Sequence, residues 1–461
     1  MILGDIAKVF SANMLAVLTG LVTGFFVPRF LGTEQYAAYK TFGLYATYVG
    51  VLHFGFIDGL FLKYGGIEPA RIDKGAFRSE FLFLLFTQAS MTFLCAFAAF
   101  LLKNWLLLPV ALLILPANLI TFYKFFYQAT GQFNRYARLN VLQPIFFLFA
   151  VLFLVFFVRT PRASLFITSQ VLIIAGVACL LAAWGAADLR KEVYARILSK
   201  ENFKLISVGF FIMVGNLSGI LFYSLDRWFV KIFLSTTDFA FYSLAVSMMG
   251  MVLVIVNSVS MTLYHRIAKQ AEDLRFASRV KRYLVMLGVF SAGGFFAFDI
   301  VIPIILPDYV PALGVISLLF AGFPAIAVIN GLFINLYKAK KREKHYFAVV
   351  LSMLFVSFLL NCVAVLLRPS GTAIALATLF SFNAWYIIDT FRLEGIKGLG
   401  RELLPLSVFL VVFLSLSRLS GGISGFFFYG IFFLVWVAVF YRAEAKEIFK
   451  TIKTTRSSSN A

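Results

Sequence analysis

Charged side chains interrupt long apolar runs at a few places, and those are the places where chemistry could occur. The stretch 50–66 reads GVLHFGFIDGLFLKYGG, with Asp58 and Lys63 near its end. Asp226 and Arg227 are neighbours at the end of another run, with Lys231 soon after, and Asp299 sits inside SAGGFFAFDIVIPIILP. Arg29, Lys124 and Arg266 lie at or near the ends of further runs. A carboxylate in such a place can hold a proton or a cation, or pair with a basic side chain. Arg suits oxyanions through its fork of donors, and Lys acts as a point charge. Asp58 and Lys63 are five residues apart, which aligns them on one helix face less well than three or four would. Asn13 and Asn216 also fall inside apolar runs, where an amide can bind hydroxyls or tie helices together. His53, His265 and His345 are scattered, and Cys95, Cys179 and Cys362 lie in apolar runs. Neither a metal site nor a disulfide framework is expected.

The elements that must position these residues are membrane helices. The chain has 461 residues, 61% hydrophobic and 13% charged, with a mean hydropathy of +0.92. Soluble domains are near half apolar and a quarter charged. Many runs reach 18 residues, and they are continuous rather than alternating, which predicts helices rather than a barrel. Runs and turn signals give fourteen spans: 5–27, 41–62, 81–101, 106–127, 140–158, 164–187, 204–225, 239–263, 284–306, 312–337, 346–367, 371–389, 403–419 and 422–441. The opening MILGDIAKVFSANMLAVLTGLVTGFFVP reads as a retained first helix, because a signal peptide has a shorter apolar core. With the N-terminus inside, 32 of the 41 Lys and Arg residues fall on the cytoplasmic side and 9 on the other. Both termini are then cytoplasmic. The net charge of +20 is thereby explained by loop bias and lipid headgroups, and nucleic-acid binding is not expected. No loop is long enough for a soluble catalytic domain and no P-loop occurs, so an enzyme is not expected.

A repeat organises the spans. FLGTEQYAAY at 30–39 aligns with FLSTTDFAFY at 233–242 without a gap. Phe30, Leu31, Thr33, Ala37 and Tyr39 recur as Phe233, Leu234, Thr236, Ala240 and Tyr242, and Tyr36 becomes Phe239. Asn13 and Asn216 share this offset of 203, as do Lys63 and Arg266. Tyr127-Gln128-Ala129 is echoed by Tyr337-Lys338-Ala339, and Tyr136 by Tyr346, at an offset of 210. Six spans separate the copies, so both halves have one orientation, which predicts two lobes about an axis along the membrane normal. The expected organisation is a six-helix lobe over 1–190, a second over 191–392, an extra helix pair over 393–441 and a cytoplasmic tail over 442–461.

The segments PRFLGTEQYAAY, FGFIDGLFLKYG, FYKFFYQATGQFNRYA and LDRWFVKIFLSTTDFAFYSLA together resemble the Wzx-type polysaccharide flippases. These belong to the multidrug, oligosaccharidyl-lipid and polysaccharide exporter (MOP) superfamily. The resemblance covers roughly the first 390 residues. It implies an alternating-access flippase in the bacterial inner membrane. Such a protein moves undecaprenyl-pyrophosphate-linked oligosaccharide from the cytoplasmic to the outer leaflet for O-antigen or other surface polysaccharide. It further implies work beside polysaccharide polymerase or chain-length machinery. With both lobes in one chain a monomer is expected, no cofactor is expected, and an intramembrane carboxylate such as Asp299 could couple a proton or sodium gradient. A pyrophosphate head needs a wet cationic path. On that reading Arg29, Lys63, Lys124, Arg227, Lys231 and Arg266 bind substrate or gate it, and Asn13 and Asn216 meet sugar hydroxyls. Asp58, Asp226 and Asp299 couple an ion or form salt bridges, Asp226 with Arg29 as an outer gate. The plainer reading is snorkelling for each cation and helix-to-helix bonding for each amide. Two other functions stay open. A cation-coupled multidrug antiporter of the same fold group would want more buried carboxylates, and the lipid II flippase of the wider group has fourteen helices. The extra pair could hold a polyprenyl tail or simply pack at the periphery.

Overall fold

Backbone N–H and C=O groups find no water in hydrocarbon, so an apolar run that crosses a bilayer satisfies them within a helix. That is what the computed structural model contains. It describes residues 2–189, 197–340 and 342–447; the side chains of 2–17, 185–189, 261, 262, 265, 343 and 396–399 are outside the description. The chain forms two compact units, Met1–Ser224 and Leu225–Ala461.

The first unit holds α1 (Ile2–Ala46), α2 (Phe56–Tyr64), α3 (Lys74–Leu101), α4 (Leu107–Ala129), α5 (Phe133–Phe153), α6 (Ala163–Leu189) and the first part of α7 (Lys200–Phe233). Helix α1 packs on α5, and α4 packs on α3 and α6. Two apolar clusters stack along α4. Leu113 and Ile114 join Phe42, Val49 and Ile167 in one. Leu119, Ile120, Phe122 and Tyr123 join Phe56, Phe81 and Leu84 in the other. The second unit holds the rest of α7, then α8 (Thr236–Lys269), α9 (Leu274–Ala292), α10 (Gly294–Ile305), α11 (Leu313–Ala321), α12 (Phe323–Val328), α13 (Ile334–Ala339), α14 (Glu343–Leu367), α15 (Gly371–Leu419) and α16 (Gly422–Phe440). Here α9 packs on α12, and α15 on α11 and α14. At Gly288 a Cβ would stand 2.4 Å from the Pro324 Cα, so α9 and α12 meet backbone to backbone. Phe97, Phe157, Phe211 and Leu366 are exposed, as suits side chains facing lipid.

Among the described residues eleven helices are long and apolar enough to cross a membrane, and thirteen elements are if each of two bent pairs counts as one span. The eleven coincide with the third to ninth and eleventh to fourteenth expected spans. The tenth is a bent pair, 44° at the break. The first two depart most from expectation. Instead of two helices separated by a loop, α1 runs through 2–46 with a kink at Gly32, whose φ is 69°. The second expected span is then broken at 54–55 before α2, with a 59° bend. Gly32 is why the loop vanishes: without a Cβ it turns the chain in one residue.

The first repeat breaks the helix at one matching position by different means, and the second builds the same local turn. Gly32 and Ser235 occupy matching positions. Ser235 ends the bend after α7 by capping α8, its Oγ accepting from the Asp238 N–H at 3.1 Å. At the second echo α4 ends on Ala129 and α13 on Ala339. The Gln132 N–H donates to Tyr127 O at 2.7 Å, and the Arg342 N–H to Tyr337 O at 2.9 Å. The Tyr136 and Tyr346 N–H groups donate to Gln132 O and Arg342 O at 3.1 and 2.9 Å.

Candidate functional site

The break before α2 exposes backbone that would be unpaired in a regular helix. Residues Val49–His53 form a 3-10 turn, and Phe54 and Gly55 both have positive φ, 53° and 85°. Amides from two neighbouring helices answer the freed carbonyls. The Gln88 Nε2 donates to Leu52 O at 3.2 Å, and the Asn118 Nδ2 to Val49 O at 3.2 Å and to Gln88 Oε1 at 2.7 Å. Both residues are buried. They form a polar layer between the two apolar clusters. Asn118 Oδ1 in that layer is buried without a hydrogen-bond partner.

Helix α2 then crosses α7 at backbone contact. A Cβ on Gly59 would lie 2.2 Å from Leu205 O, and one on Gly209 would lie 1.9 Å from Gly55 O. The Gly55–Gly59 spacing is the small-xxx-small pattern that lets membrane helices approach closely. Asp58 lies within that crossing and is 4% exposed. Its Oδ1 accepts from Asn216 Nδ2 on α7 at 3.4 Å, and its Oδ2 is 3.8 Å from His53 Nε2. His53 Nδ1 accepts from the Gly55 N–H at 3.0 Å. The ring proton therefore sits on Nε2 and faces the carboxylate. The cluster can hold a proton or a small cation between a carboxylate, an imidazole and an amide, beside a discontinuous helix.

The other expected residues of this unit are dispersed. Lys63 pairs with Glu80 rather than with Asp58, and the Tyr64 hydroxyl donates to the second Glu80 oxygen at 2.6 Å. Glu80 is 2% exposed, so one buried carboxylate takes up the Lys63 charge. Arg29 is exposed three residues before the Gly32 kink, and Lys124 is half-buried on α4. Asn13 lies on α1 where side chains are outside the description. Sequence reading missed His53 as a partner of Asp58 and Glu80 as a partner of Lys63. The broken helix whose carbonyls Gln88 and Asn118 answer had no signal beyond the glycines at 55 and 59.

In the second unit Asp226 accepts from the Tyr242 hydroxyl at 2.7 Å and from the Arg227 N–H at 2.7 Å. That ties α7 to α8 through the repeated Tyr. Arg227 is half-buried, with its Nε buried and unpartnered. Lys231 Nζ stands 5.2 Å from the Phe239 ring centroid, and Arg266 is exposed near the end of α8. Asp299 accepts from the Gly422 N–H at 2.6 Å, capping the start of α16. A second charged cluster was missed altogether. Lys281, 0% exposed, lies 2.7 Å from Glu394 Oε2 and 3.5 Å from Glu402 Oε1, and Tyr441 donates to Glu402 at 2.9 Å. The two glutamates flank Gly395, where α15 kinks with φ 68°. Buried carboxylates are thus more numerous than expected, each with a partner of its own.

A scan against protein-family models gives no match, and a search of curated proteins gives none. Solved structures do match. The lipid II flippase MurJ in an inward closed conformation aligns over 96% of this chain and 100% of its own, with a TM-score of 0.64 at 13% identity. An outward-facing multidrug resistance MATE family transporter of the MOP superfamily aligns over 88% of this chain and 96% of its own, with a TM-score of 0.52 at 15% identity. At such identities the likeness is one of fold. The chain has the all-helical, multi-pass membrane fold of these transporters.

Proposed function

We propose that the protein is an alternating-access transporter that flips a lipid-linked anionic saccharide across the membrane. The observation that carries this reading is the fold likeness to the lipid II flippase over nearly the whole of both chains. The shorter match to the drug transporter gives the alternative less support. A polyprenyl-pyrophosphate carrier is the cargo class. A head of the lipid II kind has the stronger backing, and an oligosaccharide head of the Wzx kind is the finer reading drawn from the sequence motifs. Arg29, exposed on α1, and Arg227, half-buried beside Asp226 on α7, are the cations proposed to meet the pyrophosphate. The Asp58–His53–Asn216 cluster is proposed to couple an ion gradient to the cycle. Cytoplasmic termini, a bacterial inner-membrane location and work beside polysaccharide polymerase belong to the same proposal.

The test is a vesicle assay. Purified protein is reconstituted with polyprenyl-pyrophosphate saccharides of both head types in one leaflet, and head groups reaching the other leaflet are timed with and without a proton or sodium gradient. Transfer of either head supports a flippase and identifies the cargo. Export of an organic cation with no lipid transfer overturns the proposal in favour of the drug antiporter.

A further inference from the structure

Beside the turn that joins α4 to α5, the first unit holds a cavity of about 980 Å³. Lys74, Arg135 and Arg138 lie on it and are exposed, while Leu139 and Leu181 give it a buried apolar wall. No Asp or Glu is among its described lining residues. The second unit has a cavity of about 170 Å³ beside the matching turn after α13. Phe333, Leu336, Tyr337, Arg342 and His345 line it, each 210 positions after a residue that lines the larger cavity: Tyr123, Phe126, Tyr127, Gln132 and Arg135. The two are copies of one groove with different contents. In the second unit Asp389 enters the groove, accepting from the Tyr337 hydroxyl at 2.8 Å and from Trp385 Nε1 at 2.8 Å, with Arg392 at 3.7 Å. In the first unit Leu181 and Trp184 on α6 keep the spacing of three that Asp389 and Arg392 keep on α15. Where one groove carries its own carboxylate, no carboxylate is among the described residues that line the other.

We infer that the larger cavity binds the phosphate headgroup of an anionic membrane phospholipid, with an acyl chain along its apolar wall. The charge argument is direct: three cations line a groove with no acid in it, and its counterpart supplies an internal acid. The position argument is topological. The start of α3, the end of α4, the start of α5 and the end of α6 lie on one membrane face, so the groove opens at headgroup depth. The volume is at the upper end for small-molecule sites, and the apolar wall suits a chain that a free phosphate lacks. The inference concerns a resident lipid and does not depend on which cargo is flipped.

The full-length protein in phosphatidylcholine vesicles provides the test, with Trp184 as the reporter in the groove. Its fluorescence, taken as the difference between the parent and Trp184→Phe, is measured with brominated phosphatidylglycerol and with brominated phosphatidylcholine. The anionic lipid is expected to quench in excess of the zwitterionic one. Arg135→Ala with Arg138→Ala, both exposed positions, is expected to weaken that preference roughly thirtyfold, while Arg135→Lys with Arg138→Lys retains most of it. Equal quenching by the two lipids, or a preference unchanged in the alanine pair, overturns the inference. So does loss of the excess on adding inorganic phosphate, because the site is then one for soluble anions.

Discussion

Asp58 is answered by a histidine five residues before it and an asparagine on another helix, while Lys63 turns to Glu80. Helical spacing explains the division: five residues put Asp58 and Lys63 on diverging faces, and a carboxylate on α3 was better placed. With His53 Nδ1 engaged by backbone, Asp58 is the group free to exchange a proton or cation. Asp58→Asn is expected to leave the fold intact, because the amide can still bond Asn216, and to abolish any gradient dependence of transport in vesicles. Undiminished gradient dependence would remove Asp58 from coupling. Lys281 has a different part. Removing one partner of a buried ion cluster strands the others, at a cost of about 3–5 kcal/mol. Lys281→Met is expected to lower stability by that order in denaturant unfolding. Adding Glu394→Gln and Glu402→Gln is expected to recover most of it, and a silent single variant would show that Lys281 does not hold the α15 kink.

At the scale of elements, the crossing of α2 and α7 rests on absent side chains. A methyl group at Gly59 or Gly209 meets backbone, which cannot give way as a side chain can. Gly59→Ala and Gly209→Ala are each expected to destabilise by about 1–3 kcal/mol. Gly176 on α6 has nothing within 4 Å of an added Cβ, so Gly176→Ala is expected to be neutral or to stabilise by up to about 1 kcal/mol. Thermal unfolding in detergent compares the three, and equal effects would argue against a backbone-to-backbone crossing. The cap on α16 is likewise a single interaction. Asp299→Ala is expected to cost about 0.5–2 kcal/mol, with loss of amide-exchange protection confined to the first turn of α16. Protection lost throughout the second unit would point to a wider role for Asp299.

For the whole molecule, transport is the readout. Arg29→Ala and Arg227→Ala are each expected to slow head-group transfer about tenfold or more, the loss that follows removal of a charge-assisted contact, with unfolding unchanged. Normal transfer in both would place the pyrophosphate elsewhere. Eleven helices were legible as apolar runs because each must satisfy its own backbone. The broken second span was not, since its orphaned carbonyls are answered by Gln88 and Asn118 from α3 and α4, thirty or more residues away. The paired turns after α4 and α13 could be read from Tyr127 and Tyr337, because a local turn is written in local residues. Glu80 and Glu402 could not be read as partners of anything, because no local spacing links them to the residues they meet; Asp389 has Trp385 and Arg392 at helical spacing but meets Tyr337 only across space.

The amino-acid sequence by itself determined the class of environment, the helical content, the positions of most helix ends and the internal repeat. These follow from hydropathy and short-range backbone chemistry, which act within a few residues along the chain. Tertiary structure decided which charges are spent on one another. It set Lys63 against Glu80, Lys281 against Glu394, and Asp299 under α16. It also left one of two duplicated grooves with its own acid and the other with cations alone. The reason is physical: a charge in a low-dielectric interior is governed by what stands within a few ångströms in space, and distance along the chain does not report that.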